Sequence, residues 1–126
     1  HPFSDVVELV SRLRRPPLIV SSAFRKGILR ALGPHRSVFA EVIGREAGRK
    51  REILKRLDFR PTAYVGDTAS DIDTCQALGI PIVAVTWGYE STGCLTAAQP
   101  QWLASDPGEL ESIFHSLKLL GPRSRR

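Results

Sequence analysis

Two aspartates spaced four residues apart are the side chains of this sequence best placed to do chemistry. Asp67 follows a short apolar run over residues 62–65, which predicts a buried strand, and Gly66 permits a sharp exit from it. Asp71 then falls on the first turn of the next helix. Ligands of open α/β sheets bind at the carboxyl ends of the strands, where two carboxylates would suit Mg²⁺. The spacing also fits a simpler role, in which the aspartates only cap the helix.

The elements that must position these carboxylates alternate along the chain. Helices are predicted over residues 4–15, 24–32, 50–57, 70–78 and 107–119, with one further helical turn between 90 and 98. Strands are predicted over residues 18–21, 38–43, 62–65, 82–86 and 102–104. Strands that alternate with helices indicate a parallel, doubly wound sheet. We therefore expect four or five parallel strands, with Ser21, Asp67 and Thr86 at one edge of the sheet.

Length and composition bound the class of protein. The 126 residues suffice for one domain with a real core, expected over 1–119, and residues 120–126 are expected to form a disordered basic tail. The net charge is +5, but the basic residues scatter and do not alternate with aromatic ones, so nucleic acid is an unlikely partner. No apolar run is long enough for a membrane span, and no signal peptide is recognised, so a cytoplasmic protein is expected. Cys75 and Cys94 fit no zinc spacing and are expected to be reduced.

Four segments occur in an order that carries a family resemblance. Residues 18–22 (Leu-Ile-Val-Ser-Ser) form an apolar strand ending in hydroxyl side chains, and Lys50 follows Gly48-Arg49. Residues 65–72 read Val-Gly-Asp-Thr-Ala-Ser-Asp-Ile, and residues 77–89 run from Ala-Leu-Gly-Ile-Pro to Val-Thr-Trp-Gly-Tyr. Together they resemble the second, third and fourth motifs of the haloacid dehalogenase (HAD)-like hydrolase superfamily and a stretch typical of its phosphoglycolate phosphatase-like branch. The resemblance extends from about residue 3 to about residue 118.

The resemblance implies a fold, an activity and a set of roles. The fold would be a three-layer Rossmann-like α/β core without a cap domain, and the activity Mg²⁺-dependent hydrolysis of a small phosphorylated metabolite. By this resemblance Ser21, Ser22 and Lys50 bind the phosphate. Asp67 ligates Mg²⁺ directly, and Asp71 binds it through water or orients Lys50. From the residues alone, Ser21 also fits a helix cap and Lys50 a solvated surface lysine.

The first motif of that family, D-x-D-x-[TV] after an apolar strand, is absent from the sequence. The segment Asp71-Ile72-Asp73-Thr74 imitates it but lies inside the fourth motif and opens a helix, and Asp5 also follows no strand. We therefore assign no catalytic residue to this chain, because the family's nucleophile and general acid/base lie in the absent motif. We expect Mg²⁺ binding to be weak or absent, since two carboxylates are a poor octahedral set.

The missing motif also affects the sheet, because in the family its strand lies between those over residues 18–21 and 62–65. Two outcomes are expected: these strands pair directly, or a strand from another chain fills the space. That other chain would be a missing amino-terminal half or a second copy. Two functions stay open, namely a phosphatase core that is inactive alone and a non-catalytic HAD-like binding or interaction module.

Overall fold

The computed structural model describes residues 2–121, and for Pro2 and Phe3 it describes the backbone alone. The chain divides into two compact units. Unit 1 contains residues 3–56 together with 117–121, and unit 2 contains residues 57–116. Within residues 2–121, no helix is long and apolar enough to cross a bilayer.

Unit 1 is built around a two-stranded parallel sheet. Its helices are α1 (Pro2–Val10), α2 (Arg25–Leu32) and α3 (Lys50–Lys55), and 3-10 turns cover Gly33–Val38 and Arg45–Ala47. Strand β1 (Leu18–Val20) pairs in parallel with β2 (Glu41–Ile43), so that Ile19 lies opposite Val42. The carboxyl end of the unit closes on its amino end through a bridge between Leu13 and Leu120.

Unit 2 is built around a three-stranded parallel sheet in the order β3-β4-β5. Its strands are β3 (Tyr64–Gly66), β4 (Ile82–Val85) and β5 (Trp102–Ala104), and its helices are α4 (Ala69–Leu78), α5 (Thr92–Ala97) and α6 (Pro107–Ser116). The central strand β4 is buried along its whole length. The core of the unit is completed by fully buried side chains from α4, α5 and α6, namely Ile72, Cys75, Leu95 and Leu110.

The predicted α/β class is confirmed, with parallel sheets flanked by helices and no cap domain among residues 2–121. The prediction of one sheet edge carrying Ser21, Asp67 and Thr86 is wrong, because the five parallel strands form two sheets. The prediction that the strands over 18–21 and 62–65 pair directly is also wrong, since β1 pairs with β2 and β3 with β4. In the family that the sequence resembles, a strand of the first motif lies between the strands over 18–21 and 62–65, and this sequence lacks that motif. Pairing with a strand of another chain stays a prediction.

Two local expectations also need correction. The strand ending at Val65 is not buried, because β3 lies at the edge of its sheet and leaves Val65 41% exposed. Helix α1 ends at Val10 instead of Arg15, since the following segment pairs with residues 119–121, and the carbonyl of Arg12 accepts the Gly121 N–H. These contacts also place Leu120 and Gly121 in unit 1, while residues 122–126 of the expected tail lie outside the described residues.

The charges divide unequally between the two units. Of the fifteen lysines and arginines within residues 2–121, fourteen lie in unit 1 beside five acidic residues, a formal net charge of +9. Unit 2 has only Arg60 beside eight acidic residues, a formal net charge of −7. The overall charge of +5 therefore conceals a basic unit, which attracts anions, and an acidic unit, which attracts cations.

Candidate functional site

The two predicted metal ligands lie together at the carboxyl end of β3. Asp67 is the first residue after the strand, and Asp71 lies in the first turn of α4. Gly66 allows this proximity, because a Cβ built on it would lie 2.8 Å from Oδ2 of Asp71 and 3.0 Å from its Cβ. Asp71 is only 6% exposed, the one buried polar or charged residue among those described. The end of β3 is therefore followed directly by the half-buried Asp67, and the buried Asp71 packs against its last residue, Gly66.

The first turn of α4 is capped from two directions. Thr68 is the N-cap, and its hydroxyl accepts the Asp71 N–H at 3.0 Å, as helix N-caps commonly do. Glu90, from the loop after β4, accepts the Ala69 N–H on Oε1 at 2.6 Å. A carboxylate here also opposes the positive end of the helix dipole. Thr68 and Glu90 thus accept two of the first N–H groups of α4, and the capping role foreseen for the aspartates stays a prediction.

Asp67 is held by the same loop. Its Oδ2 accepts the Tyr89 N–H at 2.9 Å, and its carbonyl oxygen accepts the Glu90 N–H at 3.4 Å. Gly88 packs so closely that a Cβ on it would overlap Oδ2 and Cβ of Asp67 and lie 2.7 Å from its Cγ. The segment 88–90 therefore fixes both the backbone and one carboxylate oxygen of Asp67.

The donor set can be tested against Mg²⁺. Asp67 and Asp71 supply the carboxylate oxygens that this ion prefers. Within residues 2–121, however, no group of three or more His, Cys, Asp or Glu side chains is arranged to hold a metal ion. The residues present therefore fit part of an octahedral set, and the remaining ligands would be waters or groups outside this sequence.

The predicted phosphate ligands lie in unit 1, after β1. The backbone N–H of Ser21 donates to the carbonyl of Ile43 at 3.0 Å, which extends the pairing of β1 and β2 by one bond. The Oγ of Ser21 accepts the Ala23 N–H at 3.0 Å, so its own O–H hydrogen points elsewhere and is available to an anion. Ser22 is exposed in the same loop. The loop therefore offers a hydroxyl donor, but the Ala23 amide is already used.

The start of α2 is occupied by a carboxylate of the chain itself. Glu46 accepts the Arg25 N–H on Oε1 at 2.9 Å and on Oε2 at 3.3 Å. This backbone hydrogen bond, followed by one from the N–H of Glu46 itself, holds the pKa of the carboxyl below its ordinary value. Gly44 makes the approach possible, because a Cβ there would overlap the Arg25 nitrogen and lie 2.8 Å from Oε1 of Glu46. Glu46 thus serves as the anion at this helix start.

Lys50 opens α3 and is half-buried. Its helix begins without a side-chain cap from Arg49. It shares unit 1 with Ser21 and Ser22, whereas Asp67 and Asp71 belong to unit 2. The predicted phosphate ligands therefore lie in unit 1, and the predicted metal ligands lie in unit 2.

Sequence reasoning missed Glu46, Gly88 and Glu90. Each acts across a loop, 21 residues along the chain from its hydrogen-bond partner or from the side chain that it crowds. Gly88 lies within the Val-Thr-Trp-Gly-Tyr segment, but no local motif indicates any of these three contacts. One signal was available for Glu90. It directly follows the Val-Thr-Trp-Gly-Tyr segment, at the carboxyl end of the strand next to β3. Of the two cysteines, Cys75 is buried and Cys94 is exposed, and neither forms a disulfide bond.

Comparison with known proteins identifies relatives over most of the chain. The sequence is 36% identical over 120 residues to a phosphoglycolate phosphatase of Synechococcus elongatus, a match covering 86% of this chain and 57% of that protein. A phosphoglycolate phosphatase of Mesorhizobium japonicum is 32% identical over 105 residues, covering 71% of this chain and 46% of that protein. The chain therefore spans about half the length of these curated relatives. No family model matches it.

Solved structures agree on the fold. A haloacid dehalogenase-like family hydrolase from Streptococcus pneumoniae superposes with a TM-score of 0.74 at 24% sequence identity, covering 88% of this chain and 57% of that one. The order of motifs, the position of Asp67 and Asp71 at a strand end, and these relatives lead to one assignment. The chain belongs to the HAD-like hydrolase superfamily, in its phosphoglycolate phosphatase-like branch.

Proposed function

We propose that this chain is the carboxyl-terminal part of the core of a Mg²⁺-dependent phosphatase that acts on a small phosphorylated metabolite. The observation that carries the proposal is the pair Asp67 and Asp71 around Gly66 at the end of β3. The proposal is supported by the 36% identity to a phosphoglycolate phosphatase over 86% of the chain. Because the sequence contains no D-x-D-x-[TV] after a strand, the nucleophile has to come from residues that this sequence does not contain.

The unequal charge of the two units supports a division of roles. Unit 2, with a net charge of −7, carries Asp67 and Asp71, whose oxygens would hold Mg²⁺. When bound, the ion would neutralise negative charge on the transferred phosphoryl group. Unit 1, with a net charge of +9 among its described residues, carries Ser21, Ser22 and Lys50. Phosphoryl transfer depends mainly on positioning and charge neutralisation, and these two sets supply both.

The side chains of unit 1 would act on the phosphate in different ways. Ser21 has its oxygen engaged by the Ala23 N–H, so its hydrogen can be donated to a phosphate oxygen. Ser22 adds a second, exposed hydroxyl. Lys50 would supply a positive charge from the start of α3, and its half-buried position strengthens its interaction with an anion.

Two measurements on the 126-residue chain test this proposal, a phosphatase assay and calorimetric titration with Mg²⁺. With p-nitrophenyl phosphate or phosphoglycolate and Mg²⁺, we expect no turnover above that of Asp67→Asn, because no nucleophile is present. Calorimetry should give a millimolar Mg²⁺ affinity that Asp67→Asn removes, since two carboxylates are an incomplete set. Turnover that depends on Asp67 would show that a nucleophile exists in the chain. Micromolar affinity would show that the site is complete, and either result would overturn this description of the chain.

A non-catalytic HAD-like module is the second candidate, and the absence of the first motif favours it. The two candidates differ in what Asp67 does. A module that kept only the fold would bind no Mg²⁺ through Asp67, and Asp67→Asn would change neither its ion binding nor its interactions. Retained Mg²⁺ binding that requires Asp67 would argue for the phosphatase core.

A further inference from the structure

We propose that Glu90 is a positioning residue for the metal-binding loop, acting through Asp67 and the first turn of α4. The inference rests on the proposed function, because it concerns the same Mg²⁺ site. Glu90 is not itself assigned as a metal ligand, because its Oε1 is already engaged by the Ala69 N–H. Its role would be to hold the loop at residues 66–71 in the geometry that presents Asp67 and Asp71.

Glu90 forms two hydrogen bonds with the loop at residues 66–71. Its carboxylate Oε1 accepts the Ala69 N–H at 2.6 Å in a partly buried position, and its own N–H donates to the Asp67 carbonyl. A hydrogen bond to an ionised acceptor is stronger than a neutral one, and 2.6 Å is short even for this class. Glu90 thus contacts the backbone of Asp67 and the backbone of Ala69, on either side of the N-cap residue Thr68.

The neighbouring residues determine which oxygen of Asp67 stays open. Oδ2 accepts the Tyr89 N–H at 2.9 Å, and the close approach of Gly88 leaves no room beside it for a side chain. Oδ1 is therefore the oxygen of Asp67 that remains for an ion, and Asp67 would bind Mg²⁺ through one oxygen. When a residue that orients a metal ligand is replaced, the metal affinity of the site commonly falls roughly 10- to 100-fold.

The variants separate the hydrogen bond of Glu90 from its charge. Glu90→Gln keeps an oxygen that can accept the Ala69 N–H but removes the negative charge, whereas Glu90→Ala removes both. A positioning role predicts that Glu90→Ala weakens Mg²⁺ binding roughly tenfold or more, and that Glu90→Gln largely restores it. A direct attraction between the Glu90 charge and the ion predicts instead that both variants lose affinity alike.

Glu109 provides a matched control in the same unit. Its Oε1 accepts the Ser105 N–H at 2.6 Å near the start of α6, the same type of contact at the same distance, but after β5. Glu109→Ala should lower the stability of unit 2 without changing Mg²⁺ affinity. The comparison therefore shows whether a loss of affinity comes from the metal loop or from general loosening of the unit.

The experiment is an NMR titration of the labelled chain with MgCl₂ at constant ionic strength, following the backbone amides of Ala69 and Tyr89. In the free protein, Glu90→Ala should also shift the Ala69 amide and raise its hydrogen-exchange rate, a readout that needs no metal. Equal Mg²⁺ affinities in wild type and Glu90→Ala would overturn the inference while leaving the metal site intact. If wild type itself shows no Mg²⁺-dependent shift at these amides, the metal site fails and the inference falls with it.

Discussion

Replacement of Gly88 by alanine should destabilise unit 2 by a steric effect alone. The backbone of Gly88 lies outside the left-handed region, so alanine is compatible with its conformation. The new Cβ, however, would lie 2.7 Å from Cγ of Asp67 and would overlap its Cβ. Rotation of the Asp67 side chain moves Cγ but not Cβ, so the clash cannot be relieved by a change of rotamer. The loop therefore has to move away from the end of β3.

The size of the effect follows from the displacement. Carbon atoms pack at about 3.5–4.0 Å, so the loop has to retreat by roughly 1 Å. Overpacking of this kind costs about 1–3 kcal/mol. The same movement stretches the hydrogen bond from the Tyr89 N–H to Asp67. Loss of a hydrogen bond to a charged acceptor costs about 1.5–3 kcal/mol, and less where the acceptor is partly solvated. We expect the free energy of unfolding to fall by about 2 kcal/mol.

The assay is urea denaturation, with Gly93→Ala as the matched control. Gly93 lies in α5, where a Cβ meets no described atom within 4 Å, so alanine should raise stability by about 0.5–1 kcal/mol through its higher helix propensity. Harmless surface changes usually alter the free energy of unfolding by less than about 0.5 kcal/mol. If Gly88→Ala lies within that range of wild type, the close contact between the loop and Asp67 is refuted.

Three further predictions concern the other loop contacts. Gly44→Ala should lower the stability of unit 1 by about 1–3 kcal/mol, because its Cβ would overlap the backbone nitrogen of Arg25; an unchanged urea midpoint would contradict this. The lowered pKa of Glu46 means that its contribution to stability is present at neutral pH and is lost as the pH falls from the ordinary value of 4.5 through the lowered pKa. Glu46→Gln should therefore lower the melting temperature at pH 7 and lose less stability than wild type on acidification, whereas an equal dependence of the melting temperature on pH in both proteins would argue against it. The hydrogen bond from Cys94 to Glu90 raises the pKa of the thiol, so iodoacetamide should alkylate Cys94 faster in Glu90→Gln than in wild type, and equal rates would count against that bond.

Helix α4 shows how much of the fold local sequence can predict. Its start follows a capping residue, and its end is set by Gly79, which adopts the left-handed conformation expected of a C-terminal glycine. The strands were also found within one to three residues, because apolar runs with flanking turn residues are local signals. The predicted end of helix α1 lies five residues too late, since pairing between Leu13 and Leu120 is a long-range contact that local periodicity does not contain.

The candidate site was predictable only in part for the same reason. Asp67 and Ser21 could be placed because each ends a strand with a recognisable pattern. The residues that hold them were not foreseen, because Glu90 and Glu46 reach backbone amides 21 positions earlier in the chain. The division of the strands into two sheets was also not predicted, because it follows from the absence of a strand that the family has and this sequence lacks.

The central claim is that this chain supplies the phosphate-binding and metal-binding groups of a phosphatase whose nucleophile lies elsewhere. The most direct test joins it, through a flexible linker, to the part of the Synechococcus relative that lies outside the matched region, which in the family carries D-x-D-x-[TV]. We predict Mg²⁺-dependent hydrolysis of phosphoglycolate by the fusion, lost in Asp67→Asn and strongly reduced in Lys50→Ala. A folded fusion without turnover, or with turnover that survives Asp67→Asn, would contradict the account.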